Sequence, residues 1–214
     1  MYRVAVLVSG SGSNLQALID ASAKNTDIAG TPDGENADAD GVLWRVSKVI
    51  SDRRSAYALE RAKAAGIPTE VVPRRFHKAS LSDRVLEALP ADVDAVVLAG
   101  FLSILRGEIL QRFRGRMINI HPALLPDFGG AGMYGLHVHR AVLDSDARES
   151  GCTVHLVDEG TDTGPILVQK RVPVVDGDSA ESLAERVRTV EHDALVEGVS
   201  MLIEQIAHSE RALQ

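Results

Sequence analysis

Apolar residues in this chain come in short unbroken runs, and between the runs they recur at every third or fourth position. The run from Val4 to Val8 is apolar at every position, which predicts a strand covered on both faces. In SNLQALIDASAK, Leu15, Leu18 and Ile19 share one side of a helix, so the chain opens as strand, tight turn and helix. The same alternation continues. VLWRVSKVIS reads as strand, SAYALERAKAAG as helix with Gly66 in the stop position, IPTEVVP as strand, SLSDRVLEAL as helix and VDAVVLAG as strand. After Gly100 the pattern predicts a helix around ILRGEILQRF and a strand at RMINIHP, then a loose segment, DFGGAGMYGLH. Two further strands, GCTVHLVD and ILVQKRVPVV, and a long amphipathic helix from about Ser179 complete the series. Strands alternating with helices predict an α/β fold, a Rossmann-like, mostly parallel twisted sheet with helices on both faces.

The stretch DIAGTPDGENADADG, residues 27–41, is rich in Gly, Asp and Asn and reads as an exposed excursion. No linker, repeat or low-complexity block divides the 214 residues, so a single domain over 1–214 is expected, with halves at 1–100 and 101–214. With 45% hydrophobic and 25% charged residues, composition is that of an ordinary globular chain. Lys and Arg number 23 against 30 Asp and Glu, a formal charge of -7, which argues against nucleic-acid binding through an overall positive field. An anionic ligand would have to be attracted locally. The lone cysteine, Cys152, cannot form an internal disulfide and sits in the apolar run GCTVHLV. Val4 to Val8 is too short for a signal-peptide core or a membrane span. The expectation is a soluble cytoplasmic protein with no membrane partner.

Three stretches carry candidate chemistry. In SGSGSNL, residues 9–15, Gly10 and Gly12 permit a tight turn between strand and helix, and the backbone N–H groups that open the helix suit a phosphate. The same residues also suit a plain turn with Ser13 or Asn14 as helix cap. A dinucleotide fingerprint would require a glycine where Leu15 stands, and an NTP-binding loop would require Gly-Lys-Ser/Thr, so a simple phosphate ester is the better match. In INIHPALLP, residues 118–126, strand alternation puts Asn119 and His121 on one face. Downstream, VHLVDEGTDTGPIL offers Asp158, Glu159 and Asp162 as carboxylate partners for His121. An amide N–H beside an imidazole suits a developing oxyanion, and no Ser or Cys nucleophile is needed if the substrate brings its own amine. His137 and His139, with His155 nearby in sequence, lack a defined third and fourth ligand, so no metal is expected.

VLVSGSGSNLQALID, VVLAGFLSIL, INIHPALLP and GCTVHLVDEGTDTGPIL, in that order, resemble the folate-dependent formyltransferase superfamily, and the S-G-x-G-S-N turn resembles its phosphoribosylglycinamide branch. The resemblance covers nearly the whole chain. It implies the formyltransferase fold and transfer of a formyl group from 10-formyltetrahydrofolate, a co-substrate, to the amine of glycinamide ribonucleotide in purine biosynthesis. It makes His121 the catalytic imidazole, Asn119 its oxyanion-stabilising neighbour, and Asp162 the group that orients His121 and raises its basicity. Gly12, Ser13 and Asn14 would hold the substrate phosphate, Glu191 would contact the ribose, and Arg188, one turn earlier on the same helical face, would reach the phosphate. Leu102, Ser103, Ile104 and Leu105 would line the pterin slot beside Asn119, with the loop from Asp158 through Gly160 to Asp162 closing over it. Lys78 is matched to a basic folate contact that follows a phenylalanine, here Phe76. Ser103 stands where many members carry Arg, and FGGAGMYGLHVH is longer than the loop common in relatives. The implied partners are the two small-molecule substrates, with the chain a monomer or homodimer.

Overall fold

A computed structural model describes residues 1–29 and 42–212. Its strands are β1 (Tyr2–Val8), β2 (Trp44–Ser51), β3 (Thr69–Val71), β4 (Ala95–Leu98), β5 (Met117–His121), β6 (Glu149–Leu156) and β7 (Ile166–Pro173). They form one sheet in the order β3-β2-β1-β4-β5-β6-β7. The first five strands pair in parallel, while β6 and β7 add on antiparallel beside β5. The helices are α1 (Ser13–Ala29), α2 (Ala58–Ala64), α3 (Leu81–Ala88), α4 (Glu108–Arg112), α5 (Leu136–Asp144) and α6 (Ala180–Arg211).

Alternate residues of β1 enter opposite cores, which explains its unbroken apolar run. Val4, Val6 and Val8 pack into a layer with Leu15 and Leu18 of α1 and Leu183, Leu195 and Leu202 of α6. Ala5 and Leu7 belong to the other layer, with Val85 of α3 and Ile109 and Phe113 at α4. Both sheet faces are thus sealed by helices, as an α/β sheet of parallel strands requires. From β1 the chain winds outward through β2 and β3, then crosses to β4 on the opposite side of β1. The C-terminal ends of β1 and β4 therefore splay into a crevice at this reversal of direction.

Three elements differ from the sequence pattern. The helix predicted over 104–113 is confined to Glu108–Arg112, because Gly107 before it has φ +74, outside the helical range. Helix α5 lies where a loose segment gives way to unassigned residues. It begins after Gly135, and its buried side, Val138, His139 and Val142, is partly polar, which masks the apolar period. Of the predicted excursion, residues 27–29 belong to α1, whereas 30–41 lie outside the described residues. The long last helix starts as the pattern predicts, with Ser179 as cap: its hydroxyl accepts the Ser182 N–H at 3.2 Å, and the Ser182 hydroxyl accepts the Ser179 N–H at 2.9 Å.

Candidate active site

The crevice is a cleft of about 450 Å³. Its walls come from the head of α1 (Asn14), the stretch after β4 (Leu102–Leu105), the end of β5 (Asn119 and His121), the β6–β7 connection (Asp158, Gly160 and Asp162) and α6 (Glu191). Gly12, which is buried, and Ser13 do not line the cleft, and Lys78 and Arg188 are exposed and also outside its lining.

Gly12 shapes the turn in two ways. Its φ of +76 is costly for any residue with a Cβ, and a Cβ there would come within 2.6 Å of the Cβ of Ala58 and 2.7 Å of its Cα. The turn is held from α2: the Gly10 carbonyl accepts the Ala58 N–H at 3.1 Å, and the Arg61 guanidinium donates to the Ser11 carbonyl at 3.0 Å and to Gln16 at 3.1 Å. The first helical bond runs from the Gln16 N–H to the Gly12 carbonyl at 2.9 Å, leaving the Ser13, Asn14 and Leu15 amides at the positive head of a 17-residue helix. Gly12→Ala should lower stability by about 2 kcal/mol or more. Denaturant titration checks it, and unchanged stability would show that the turn can relax away from α2.

Asn119 and His121 stand on the same face of β5, two residues apart, as alternation requires. Both meet Asp162: Oδ1 is 3.5 Å from the Asn119 amide nitrogen, and Oδ2 is 3.5 Å from Nδ1 of His121. Asp162 holds a left-handed backbone, φ +58, which is unusual for a residue other than glycine. The Gly130 N–H donates to its Oδ2 at 3.1 Å. At neighbouring Gly129, a Cβ would lie 3.1 Å from the Asp162 Cβ and 2.5 Å from Leu125. The other two candidate carboxylates are turned elsewhere. Asp158 accepts from the Gly160 N–H (2.9 Å) and the Thr163 hydroxyl (2.7 Å) within its own loop, and Glu159 faces Arg114 at 3.9 Å on the surface.

The second imidazole nitrogen of His121, Nε2, donates to the Phe128 carbonyl at 2.7 Å. That assigns the proton of the neutral ring to Nε2 and leaves Nδ1 as the lone pair facing Asp162. Burial is the main influence on His121 and lowers its pKa below 6.5, outweighing the opposite pull of Asp162. The Asp162 carboxylate pulls the His121 pKa upward and so moderates the larger effect of burial. Asp162 is balanced differently. Burial, its largest single influence, would raise its pKa, but the imidazoles of His155 and His121 and the Gly130 N–H together hold it below the usual carboxylate value. Burial raises the pKa of Glu191, although Asn14 donates to it at 3.4 Å and Arg188 lies close enough to oppose the rise.

His155 enters the site unannounced by the sequence pattern. It pairs across the β5–β6 ladder with Asn119, and the Asn119 amide donates to its Nε2 at 3.1 Å. Its own Nδ1–H is given to the Leu156 carbonyl at 2.9 Å, so Nε2 is free to accept. This relay fixes which end of the Asn119 amide points toward Asp162. Of the other two histidines, His137 meets the Tyr134 ring edge-on at 5.5 Å, and His139 is buried with Nδ1 unpartnered among the described residues.

Burial, with the charges of His121 and Arg188, lowers the His139 pKa from 6.5 to about 4. A lowered pKa means that the unfolded chain binds the proton more readily, so stability is lost as pH falls from 6.5 through 4. At full effect this is about 3 kcal/mol, taking about 1.4 kcal/mol per pH unit. His139→Gln should flatten that acid slope in unfolding experiments; an unaltered slope would assign it to other groups.

A model of the formyl transferase family matches residues 2–199. The trifunctional purine biosynthetic protein adenosine-3 of Drosophila melanogaster is 42% identical over 207 residues, 94% of this chain but only 14% of that protein's length. The chloroplastic phosphoribosylglycinamide formyltransferase of Arabidopsis thaliana is 40% identical over 207 residues, covering 95% of this chain and 66% of its own. The crystal structure of glycinamide ribonucleotide transformylase 1 from Symbiobacterium toebii superimposes with a TM-score of 0.82 at 38% identity, over 96% of this chain and 89% of that one. Sheet order, matched length and these likenesses agree: the chain belongs to the formyl transferase family, on its phosphoribosylglycinamide formyltransferase branch.

Proposed function

We propose that this chain transfers the formyl group of 10-formyltetrahydrofolate to the amine of glycinamide ribonucleotide, a step of purine biosynthesis. The observation that carries the reading is the meeting of Asn119, His121 and Asp162 within 3.5 Å contacts in one cleft, which the head of α1 also enters. The cleft's size suits a ligand of folate's bulk, and its Leu102–Leu105 wall is apolar apart from Ser103, as a pterin ring would require. Residues 1–100 supply the phosphate site, where the amides of Ser13 and Asn14 bind the ribonucleotide, and residues 101–214 supply the folate and catalytic groups, all within one domain. Glu191 faces the ribose, with Arg188 at the phosphate. A cytoplasmic setting accompanies this reading, since Cys152 is an unpaired buried thiol that needs no oxidising compartment.

The substrate amine attacks the formyl carbon, producing a tetrahedral oxyanion whose collapse releases tetrahydrofolate. Burial keeps His121 neutral in the resting site, so its Nδ1 lone pair can take the proton that the amine loses. Asp162 then faces the new imidazolium at 3.5 Å and stabilises it, while Phe128 keeps hold of the Nε2–H. Asn119 keeps one N–H on His155 and turns the other from its long contact with Asp162 to the oxyanion. His121 finally returns its proton from Nδ1 to the leaving nitrogen. Purified protein mixed with both substrates should release tetrahydrofolate only when the ribonucleotide is present. Release without it would indicate hydrolysis instead, and no release would defeat the reading.

A further inference from the structure

We propose that Asp52 is a positioning residue that sets the folate wall of the cleft, acting through Ser103; this rests on reading Leu102–Leu105 as that wall. Asp52 follows β2, which two strands, β1 and β4, separate from the catalytic β5, and it is 2% exposed. A carboxylate removed from water is costly unless close donors replace the lost hydration. Its Oδ2 accepts the Ser103 hydroxyl at 2.6 Å, the short distance of a charge-assisted bond. Arg74 approaches the same oxygen only to 3.7 Å, and Oδ1 is buried with no partner among the described residues. Among the described residues the Ser103 hydroxyl is therefore the one close side-chain donor to this carboxylate, and separating the pair strands a buried carboxylate.

Ser103 is held at a point where the wall is otherwise irregular backbone. Just upstream, the Leu102 N–H donates to the buried Ser9 hydroxyl at 2.8 Å, and the Ser9 N–H donates to the Gly100 carbonyl at 3.2 Å. The stretch from Gly100 to Ser103 is thereby pinned at two places, to the end of β1 by Ser9 and to the end of β2 by Asp52. With Ser103 turned onto Asp52, its neighbours Leu102 and Ile104 stand outward, 43% and 54% exposed. Exposed apolar side chains on either side of a pinned residue are a preformed face for a flat ring, and fixing them before the ligand arrives removes an ordering cost from binding. Releasing Ser103 leaves the catalytic trio in place and loosens the wall.

The test compares the wild type with Asp52→Ala, Ser103→Ala, the double variant and Asp52→Asn, measuring KM for each substrate and calorimetric binding of tetrahydrofolate. Each alanine variant should raise the folate KM and the tetrahydrofolate Kd about tenfold, with the ribonucleotide KM within about threefold. The double variant should match the singles, because the two residues act as one unit. Asp52→Asn keeps an oxygen that accepts from Ser103 and should recover to within about threefold of wild type. Unchanged tetrahydrofolate affinity in Asp52→Ala overturns the proposal. So does a double variant near the hundredfold product of the singles, or a rise of both KM values together, which is the mark of a general structural defect. If Asp52→Ala fails to fold, Ser103→Ala decides by the same split of KM values. A wild type that binds no tetrahydrofolate removes the reading of the wall itself, and the proposal falls with it.

Discussion

His121→Ala is expected to lower formyl transfer by at least about 10³-fold, since one residue serves both as proton carrier and as charge beside the oxyanion. KM for both substrates should stay within a few-fold of wild type, because the phosphate turn at Gly12 and the Leu102–Leu105 wall lie on other elements. The pH profile of the wild type carries a second signature. His121 must be neutral to accept a proton, and its pKa is lowered, so kcat should stay level from about pH 8 down past 6.5 and fall only below that. His121 is 3% exposed, so truncation also leaves a void under β5, and unfolding curves should accompany the kinetics. A folded His121→Ala protein that retains full activity would sink the mechanism.

Much of this arrangement is legible in the chain, because the strongest signals are local. Val4 to Val8 is uniformly apolar since Val6 and Leu7 face opposite buried layers, and the alternation around Asn119 and His121 persists because β5 presents one of its faces to the cleft. Asp162 is different. Composition and spacing offer Asp158 and Glu159 equally, and it is the resemblance that singles out Asp162; in the folded loop this residue carries the left-handed φ and has the Gly130 N–H behind it.

His155 is hidden for a related reason. Its partner Asn119 is 36 residues away, and what joins them is the antiparallel register of β5 with β6, which no single-strand pattern contains. Helix α5 escapes because it starts at Gly135 and buries His139 beside Val138 and Val142. Asp52 escapes because its meaning depends on Ser103, on a connection beyond another strand.

Asp162→Asn is expected to lower kcat by about 10²-fold to 10³-fold while leaving both KM values within about threefold. The substitution is nearly isosteric, and the amide oxygen can still accept the Gly130 N–H that positions the loop. What disappears is the negative charge 3.5 Å from Nδ1 of His121. That charge is the largest influence opposing burial at His121, so its removal pushes the imidazole pKa lower still. The ring then remains neutral but becomes a poorer proton acceptor, and the cation formed during transfer loses its counter-charge. Two readouts should therefore move together: the kcat plateau drops, and its acid limb shifts to lower pH than in wild type. Wild-type Asp162 contributes no limb of its own near neutrality, because its pKa lies below the usual carboxylate value. A plateau that drops with an unmoved limb would show that Asp162 acts on substrate and not through His121. An unchanged plateau would remove Asp162 from the reaction.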